Sequence, residues 1–250
     1  MRSHTSMSWA MEKRLGVATA TTAALALALC ACSGASTSGT STTTTSASDV
    51  SLAQAELLPA SAFPSGWQSQ GTSSENTQAS VFGGLSQSKV QAITRCLGIS
   101  SAQVDSTPAE AADPEYDDPN SSATVTDTVD VFPSAALSRF DTSAAANPKM
   151  PSCLVQIAPS FESKVPKSVH LGTVSANRDD IPLYGDEDAA LDVTIPFTDQ
   201  GVSGTLYLVI VVVEKGRSES NLVFTDVQGA PDPSLVDGLS SAAATALVAS

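Results

Sequence analysis

Very few side chains in this sequence are of the types that carry out catalysis. The chain has two histidines, and His170 is the one that lies beyond the N-terminal segment. A hydrolase of the Ser-His-Asp type would use such a histidine as the base that activates a serine. No Gly-x-Ser-x-Gly nucleophile elbow accompanies it, and a histidine on the face of a strand is the ordinary alternative. The sequence therefore favours a non-enzymatic protein, with a His170-dependent hydrolase as the weaker alternative.

Two acidic clusters, at residues 113–120 and 185–188, could in principle bind a cation. Calcium takes six to eight oxygen ligands, which Glu115, Asp117 and Asp118 with Asn120 would supply in part. Their spacing does not match a D-x-[DN]-x-[DN]-G calcium loop, so solvated loop acids are the favoured interpretation. One histidine and two cysteines do not suffice for a zinc site, and no glycine-rich phosphate loop is present. We therefore expect no metal and no cofactor.

The chain contains four cysteines, and two of them, Cys96 and Cys153, lie beyond the N-terminal segment. In an exported protein two thiols that can meet are expected to be oxidised. A bridge between them would close a loop of about 58 residues and would stabilise the fold by roughly 4 kcal/mol in the chain-entropy description. We predict a disulfide between Cys96 and Cys153.

Residues 1–31 have the features of an export signal. Charged residues 12–14 precede an uncharged, largely apolar run from Leu15 to Leu29, which is shorter than the roughly 20 residues that a membrane-spanning helix needs. The run leads into Leu29-Cys30-Ala31-Cys32, which is similar to the bacterial lipobox. Translation from Met11 instead of Met1 would leave the export signal intact.

Cys32 is the predicted site of lipidation, because Ala31 places a small side chain before the cleavage point whereas Cys30 would place Leu29 there. A diacylglycerol and an amide-linked acyl chain together give stable attachment to a bilayer. We therefore predict a lipoprotein on the outer face of the cytoplasmic membrane. A plain secretory signal with incidental cysteines is the alternative.

A Ser/Thr-rich tether and a single domain are predicted to follow the signal. Residues 33–48 carry no charge and no large side chain to bury, so they cannot fold alone, and we assign residues 32–50 to the lipidated cysteine and linker and residues 51–250 to the domain. The whole chain has a net charge of −14, and without residues 1–31 it has 9 basic and 25 acidic side chains. A nucleic acid would be repelled by this charge, so nucleic-acid binding is excluded.

The domain is predicted to be α+β, with a curved antiparallel sheet of about five strands and flanking helices. The apolar periodicities place the strands, of which the last three form a meander around the apolar run Leu206–Val213. The predicted strands are 124–132, 168–176, 190–198, 205–214 and 219–228. The predicted helices are 51–58, 85–97, 134–146, one from near Cys153, and one that begins at Pro233 with Asp232 as its N-cap. Residues 68–80 and 98–122 are predicted to lack regular structure.

Several short motifs occur in an order that resembles a known family. They are residues 57–59 (Leu-Leu-Pro), residues 63–67 (Phe-Pro-Ser-Gly-Trp), residues 131–140 (VFPSAALSRF) followed by Cys153, residues 183–187 (LYGDE) and residues 232–233 (Asp-Pro). Together they resemble actinobacterial lipoproteins related to the extracellular sensor domain of the mycobacterial kinase PknH, over about residues 52–249. The resemblance implies an α+β ligand sensor with a cleft. This chain has two cysteines in its domain where that sensor has four, and it has no kinase domain.

These observations favour a membrane-anchored, non-enzymatic module that binds a small or lipidic ligand or docks a protein of the cell envelope. If the sheet and helices splay apart, we expect an apolar cleft around Trp67, Tyr184 and Tyr207. The alternative is a structural or assembly lipoprotein that contacts an envelope protein and has no small ligand.

Overall fold

The computed structural model of the chain describes residues 47–70, 74–76, 87–100, 108–112, 115–159 and 165–248. The predicted signal peptide, Cys32 and residues 33–46 of the tether lie outside them. The α-helices of the described part are α1 (Ala47–Glu56), α2 (Gln87–Leu97), α3 (Ala135–Ala145), α4 (Met150–Ile157) and α5 (Pro233–Ala246). The strands are β1 (Gln68–Ser69), β2 (Ser74–Asn76), β3 (Ala109–Ala112), β4 (Tyr116–Asp117), β5 (Thr124–Val131), β6 (Val169–Leu171), β7 (Ser175–Arg178), β8 (Glu187–Asp199), β9 (Val202–Lys215) and β10 (Ser218–Asp226). In the ranges described, no helix is long and apolar enough to cross a bilayer.

The strands form one antiparallel sheet with the order β1-β4-β5-β10-β9-β8-β6, in which β3 also pairs with β5 and β7 also pairs with β8. Strands β8, β9 and β10 form the predicted meander, and β9 lies between the other two. Helices α3 and α5 pack on opposite faces of β9, which explains its apolar run. The α+β class is therefore confirmed, but the expected number of strands was wrong, because the described residues form ten.

The turn between β8 and β9 is made by Gln200 and Gly201, whose φ angles are 49° and 85°. Two-residue hairpin turns of this kind need positive φ at both central residues, which favours glycine at the second position. This turn sets the register of the two longest strands, from Asp199 opposite Val202 to Glu187 opposite Glu214.

One face of the sheet, which we call the first face, packs against α1 and α5. Its centre is a cluster of fully buried apolar side chains from both helices and from β5, β9 and β10. Representative members are Ala53, Val129, Val211, Leu222 and Leu239. The N-terminus of α5 is capped as predicted, since Asp232 Oδ1 accepts a hydrogen bond of 2.8 Å from the Ser234 N–H.

The opposite face, which we call the second face, is covered by α2, α3 and α4. Ile93 and Leu97 of α2 pack with Ile157 of α4 and Leu191 of β8. The predicted disulfide between Cys96 and Cys153 is present and joins α2 to α4, with its Cα atoms 5.7 Å apart.

Several predicted boundaries were wrong for identifiable reasons. Helix α1 begins at Ala47, within the segment assigned to the linker, and α4 begins at Met150, because Pro151 fits the first helical turn, where no N–H is needed. The single strand expected at 168–176 is divided into β6 and β7 opposite Pro196, which has no N–H to donate to the ladder.

Residues 68–80 and 98–122 were expected to lack strands, yet they contribute β1 to β4. These strands have two to four residues each, too few for an alternating pattern to be visible in sequence. Strands β3 and β4 form because they pair with successive parts of β5. Tertiary pairing overrides weak local propensity at these positions.

Candidate functional site

A groove of about 460 Å³ lies between the turn that carries Trp67, the β4–β5 connection and the N-terminal end of α5. Its volume is in the range of small-molecule sites. Apolar side chains from all three segments line it, together with Phe224 of β10. They are Ala62, Pro64, Trp67, Ala123, Phe224, Ala230, Pro231, Leu235 and Leu239.

Trp67 is held in this groove by the local geometry of the turn that precedes it. Helix α1 ends at Glu56, and a 3-10 turn over Ala60–Ala62 follows with Pro59 as its N-cap. The Trp67 N–H donates to the Pro64 carbonyl at 3.2 Å, and Gly66 has a φ of 102°, which a residue with a side chain would rarely adopt. The indole therefore projects from a tight turn and remains partly exposed.

Stacking between the rings of Phe63 and Tyr116 packs this turn against the sheet. The ring of Phe63 lies 3.8 Å from that of Tyr116 in a stacked arrangement, and the Trp67 ring is 6.1 Å from Phe63. Phe63 and Tyr116 are buried in the first-face core. The position of Trp67 is thus fixed by packing as well as by its backbone.

The polar rim of the groove is acidic. Asp118, Asp226 and Asp232 line it, and its lining residues include no lysine, arginine or histidine. Hydrogen bonds from Asn120 and Ser121 lower the pKa of Asp118, and those from Ser234 lower the pKa of Asp232. These two carboxylates are therefore ionised at neutral pH.

Tyr184 and Tyr207 do not line this groove. The Tyr184 hydroxyl donates to Asp237 Oδ1 at 2.5 Å, and Asp237 is two residues from Leu235 on α5, which places it on the opposite flank of that helix. Tyr207 lies in β9 opposite Thr194 and Asp226. Three aromatic residues were expected around one cleft. Trp67 lines the groove, whereas Tyr184 and Tyr207 lie outside it.

His170 lies on β6 opposite Thr198, and its side chain is exposed. It lines neither the groove beside Trp67 nor a smaller cavity of about 130 Å³ between residues 178–183 and 188–190. Neither of these two cavities therefore places a substrate beside this histidine.

The acidic clusters expected to be solvated loops make local hydrogen bonds. Asp118 accepts from the backbone N–H of Asn120 at 2.9 Å and from the Ser121 hydroxyl. Asp188 accepts from the backbone N–H groups of Tyr184 and Gly185. Among the described residues no group of three or more histidine, cysteine, aspartate or glutamate side chains is arranged to hold a metal ion.

Sequence reasoning missed a row of buried carboxyl side chains on the second face. The row contains Asp130, Glu214 and Glu219, which are at most 2% exposed. The available signal was the presence of these acids inside predicted strands, where aspartate and glutamate are depleted.

No protein-family model and no curated protein matches the chain. Among solved structures, the crystal structure of the extracellular domain of PknH from Mycobacterium tuberculosis is similar, with 14% identity and a TM-score of 0.41. The similarity covers 78% of this chain and 93% of that one. It concerns the same domain that the sequence motifs resemble, and at this level it carries no functional argument.

Proposed function

We propose that this protein is a lipid-anchored, extracytoplasmic module that binds a small ligand in the groove beside Trp67 without transforming it. The observation that carries this proposal is the groove itself, where a rigidly held, partly exposed indole faces about 460 Å³ of space. Concave, largely apolar sites with a few fixed polar groups are typical of ligand binding.

The charge of the rim narrows the class of ligand. Three carboxylates and no cationic side chain line the groove, so a fatty acid or an anionic phospholipid headgroup would be repelled there. A ligand with an apolar or aromatic surface and a neutral or cationic polar part is complementary to Trp67 and this rim.

A binding role fits the groove better than catalysis does. Its lining includes no histidine, cysteine or lysine, which are the common bases and nucleophiles at neutral pH. Asp118 and Asp232 are poor proton acceptors, because the hydrogen bonds that they already accept lower the pKa of each.

Native mass spectrometry of the chain, purified from an actinobacterial host, tests this function. We expect a stoichiometric small-molecule adduct on the wild type that is lost under denaturing conditions. The Trp67→Ala variant should lose the adduct, and the Leu183→Ala variant should retain it, because Leu183 is 70% exposed and lies outside the groove. Retention by Trp67→Ala would contradict the groove as the site. Absence of any adduct, with crosslinking of an envelope protein in cells, would favour the docking alternative.

Tryptophan emission provides an independent reading of the same site. The chain has two tryptophans, Trp9 and Trp67, so Trp67 is the one that remains in a Trp9→Phe background. A compound released from the wild type should change the emission of Trp67 when it is added back. A compound that binds elsewhere on the domain should leave that emission unchanged.

The location outside the cell is supported by two independent features. Residues 12–32 have the pattern of a lipoprotein signal, and the Cys96–Cys153 disulfide is of a kind that persists in oxidising compartments. Mass spectrometry of the N-terminal peptide should find Cys32 acylated. An unmodified Cys32 on the mature protein would refute the lipid anchor. It would not affect the proposal that the groove binds a ligand.

A further inference from the structure

Five carboxyl side chains form a row across five neighbouring strands of the sheet. Glu110 of β3 lies opposite Asp130 of β5, Asp130 opposite Glu219 of β10, Glu219 opposite Glu214 of β9, and Glu214 opposite Glu187 of β8. Directly opposed residues of antiparallel strands project from the same face. All five therefore lie on the second face, and we call them the carboxyl row.

Helix α3 covers the row and contributes a sixth carboxyl group. Asp141 is 2% exposed, and its side chain is hydrogen-bonded to that of Glu219. The Thr142 hydroxyl donates to Glu219 Oε2 at 2.7 Å, and the Ser143 hydroxyl donates to Glu187 Oε1 at 2.8 Å. The polar contacts of α3 with the sheet are thus made largely to this row.

No cationic side chain is buried with the row among the described residues. Lys215 Nζ donates to the Ala244 carbonyl at 3.0 Å, and Arg217 forms an ion pair of 2.8 Å with Asp49. Arg139 is on the exposed side of α3, from where it attracts the carboxylate of Glu214. The neighbouring acids at 186 and 188 add negative charge at the same end of the row.

Two members of the row, Glu214 and Asp130, have buried carboxyl oxygens without a hydrogen-bond donor. The Asn221 amide donates to Glu219 Oε1 at 3.0 Å and to Asp130 Oδ2 at 3.3 Å. Both carboxyl oxygens of Glu214, and Oδ1 of Asp130, are buried with no hydrogen-bond partner. Burying an ionised carboxylate in this way costs a large free energy unless the charge is paired, so such a group takes up a proton instead.

The contact between Asp141 and Glu219 itself requires a proton, because an ionised carboxylate can only accept hydrogen bonds. Burial, followed by the charges of Glu110 and Glu219, raises the pKa of Asp130 well above its usual value. Burial, then the charges of Glu219 and Asp130, likewise raises the pKa of Asp141. Burial raises the pKa of Glu219 to about 7, although the hydroxyl of Thr142 opposes the shift.

We infer that the carboxyl row is a proton-linked clamp, which holds helix α3 on the sheet while its members are protonated and releases the helix as they ionise. A bound cation is the other way to neutralise such a row, but no three carboxylates converge on a point where a metal ion would fit in the described part of the chain. The proposal is independent of the groove, which lies on the first face.

The direction of the pH effect follows from linkage. A carboxyl group whose pKa is raised by folding binds its proton more tightly in the native state than in the unfolded state, so stability is lost as pH rises. For Glu219 the loss begins near the ordinary glutamate pKa of 4.5 and is complete above about 7. Within that window each such group lowers the folding equilibrium constant about tenfold per pH unit. The pKa values of Asp130 and Asp141 are also raised, so their ionisation adds to the loss in the same direction.

The test is urea unfolding of the full chain between pH 5 and 8, with hydrogen exchange of the α3 amides measured at the same pH values. We expect the wild type to become less stable as pH rises, and α3 to exchange faster than α5. In the Glu219→Gln variant, the folding equilibrium constant should fall less steeply with pH than in the wild type, by about a factor of ten per pH unit. Asp141→Asn, whose amide can donate to Glu219 in place of the shared proton, keeps the test valid if Glu219→Gln does not fold. The control Asp180→Asn removes an exposed acid and should behave like the wild type.

Two results would overturn this inference. One is a stability that does not fall from pH 5 to pH 8, or that falls equally in both row variants and the wild type. The other is recovery of stability and of α3 protection at pH 8 on adding millimolar CaCl₂ but not NaCl of equal ionic strength, which would show that a cation neutralises the row.

Discussion

Removal of the disulfide between Cys96 and Cys153 should destabilise the fold by an amount set by the length of chain that it closes. The cleanest perturbation is the double variant Cys96→Ala with Cys153→Ala. Cys153 is fully buried, so serine at this position would add the separate cost of a buried hydroxyl. Alanine leaves the apolar contacts of α2 with α4 largely in place.

The expected magnitude comes from the unfolded state. The two cysteines are 57 positions apart, and closing a loop of that length stabilises the fold by about 4 kcal/mol in the chain-entropy description. The loop encloses β3 to β5 and α3. Because β5 is paired to the centre of the sheet, the loss should appear in global unfolding and not only in loosening of α2.

Urea denaturation followed by Trp67 emission in a Trp9→Phe background measures this effect. Trp67 packs on the first face, away from the disulfide, so its emission reports unfolding of the whole domain. Wild-type protein with its disulfide reduced is the matched control, since it loses the crosslink and keeps both sulfur atoms. If the reduced wild type and the double variant both stay within about 1 kcal/mol of the oxidised protein, the reasoning from loop closure is refuted.

Two further predictions concern buried and exposed hydrogen bonds on the first face. Asp127→Ala should lower the free energy of unfolding in urea by roughly 2–4 kcal/mol. The buried side chain of Asp127 accepts hydrogen bonds of 2.8 Å from the Leu58 N–H and from the Ser220 hydroxyl. A loss below about 1 kcal/mol would show that water replaces the missing carboxyl group. Tyr184→Phe should lower the free energy of unfolding by less than about 1 kcal/mol, because the hydrogen bond from Tyr184 to Asp237 is exposed. Burial and that hydrogen bond raise the pKa of Tyr184. A spectrophotometric titration should therefore show one tyrosine of the wild type that resists ionisation near pH 11, and this tyrosine should be missing from the variant.

The parts of the fold that could be predicted are those in which local chemistry and tertiary position agree. Leu206–Val213 is apolar at successive positions because β9 is covered by α3 on one face and by α5 on the other, and this pattern is visible in sequence. Asp232 and Pro233 start α5 by local capping alone. Strands β1 to β4 had no such signal, because they are short and exist only through their pairing partners.

The candidate site was predictable to a smaller extent. Trp67 could be singled out because a Pro-Ser-Gly turn presents it, and it does line the groove. The exclusion of Tyr184 from that groove depends on the phase of α5, which places Asp237 and Leu235 on opposite flanks. The carboxyl row depends on the register of four strand pairs, and no pattern within one strand encodes that alignment.

The two acidic features of this protein show why composition does not determine the state of a carboxyl group. On β10, Phe224 lines the groove and Glu219 belongs to the carboxyl row; the two are an odd number of residues apart, so they project from opposite faces. The groove carboxylate of Asp232 is exposed and accepts hydrogen bonds from Ser234, which lower its pKa. Asp130 is buried beside other acids with one oxygen unpartnered, and its pKa is raised. A net charge of −14 counts both groups as ionised, whereas hydrogen bonds favour the charged form of Asp232 and burial favours the protonated form of Asp130.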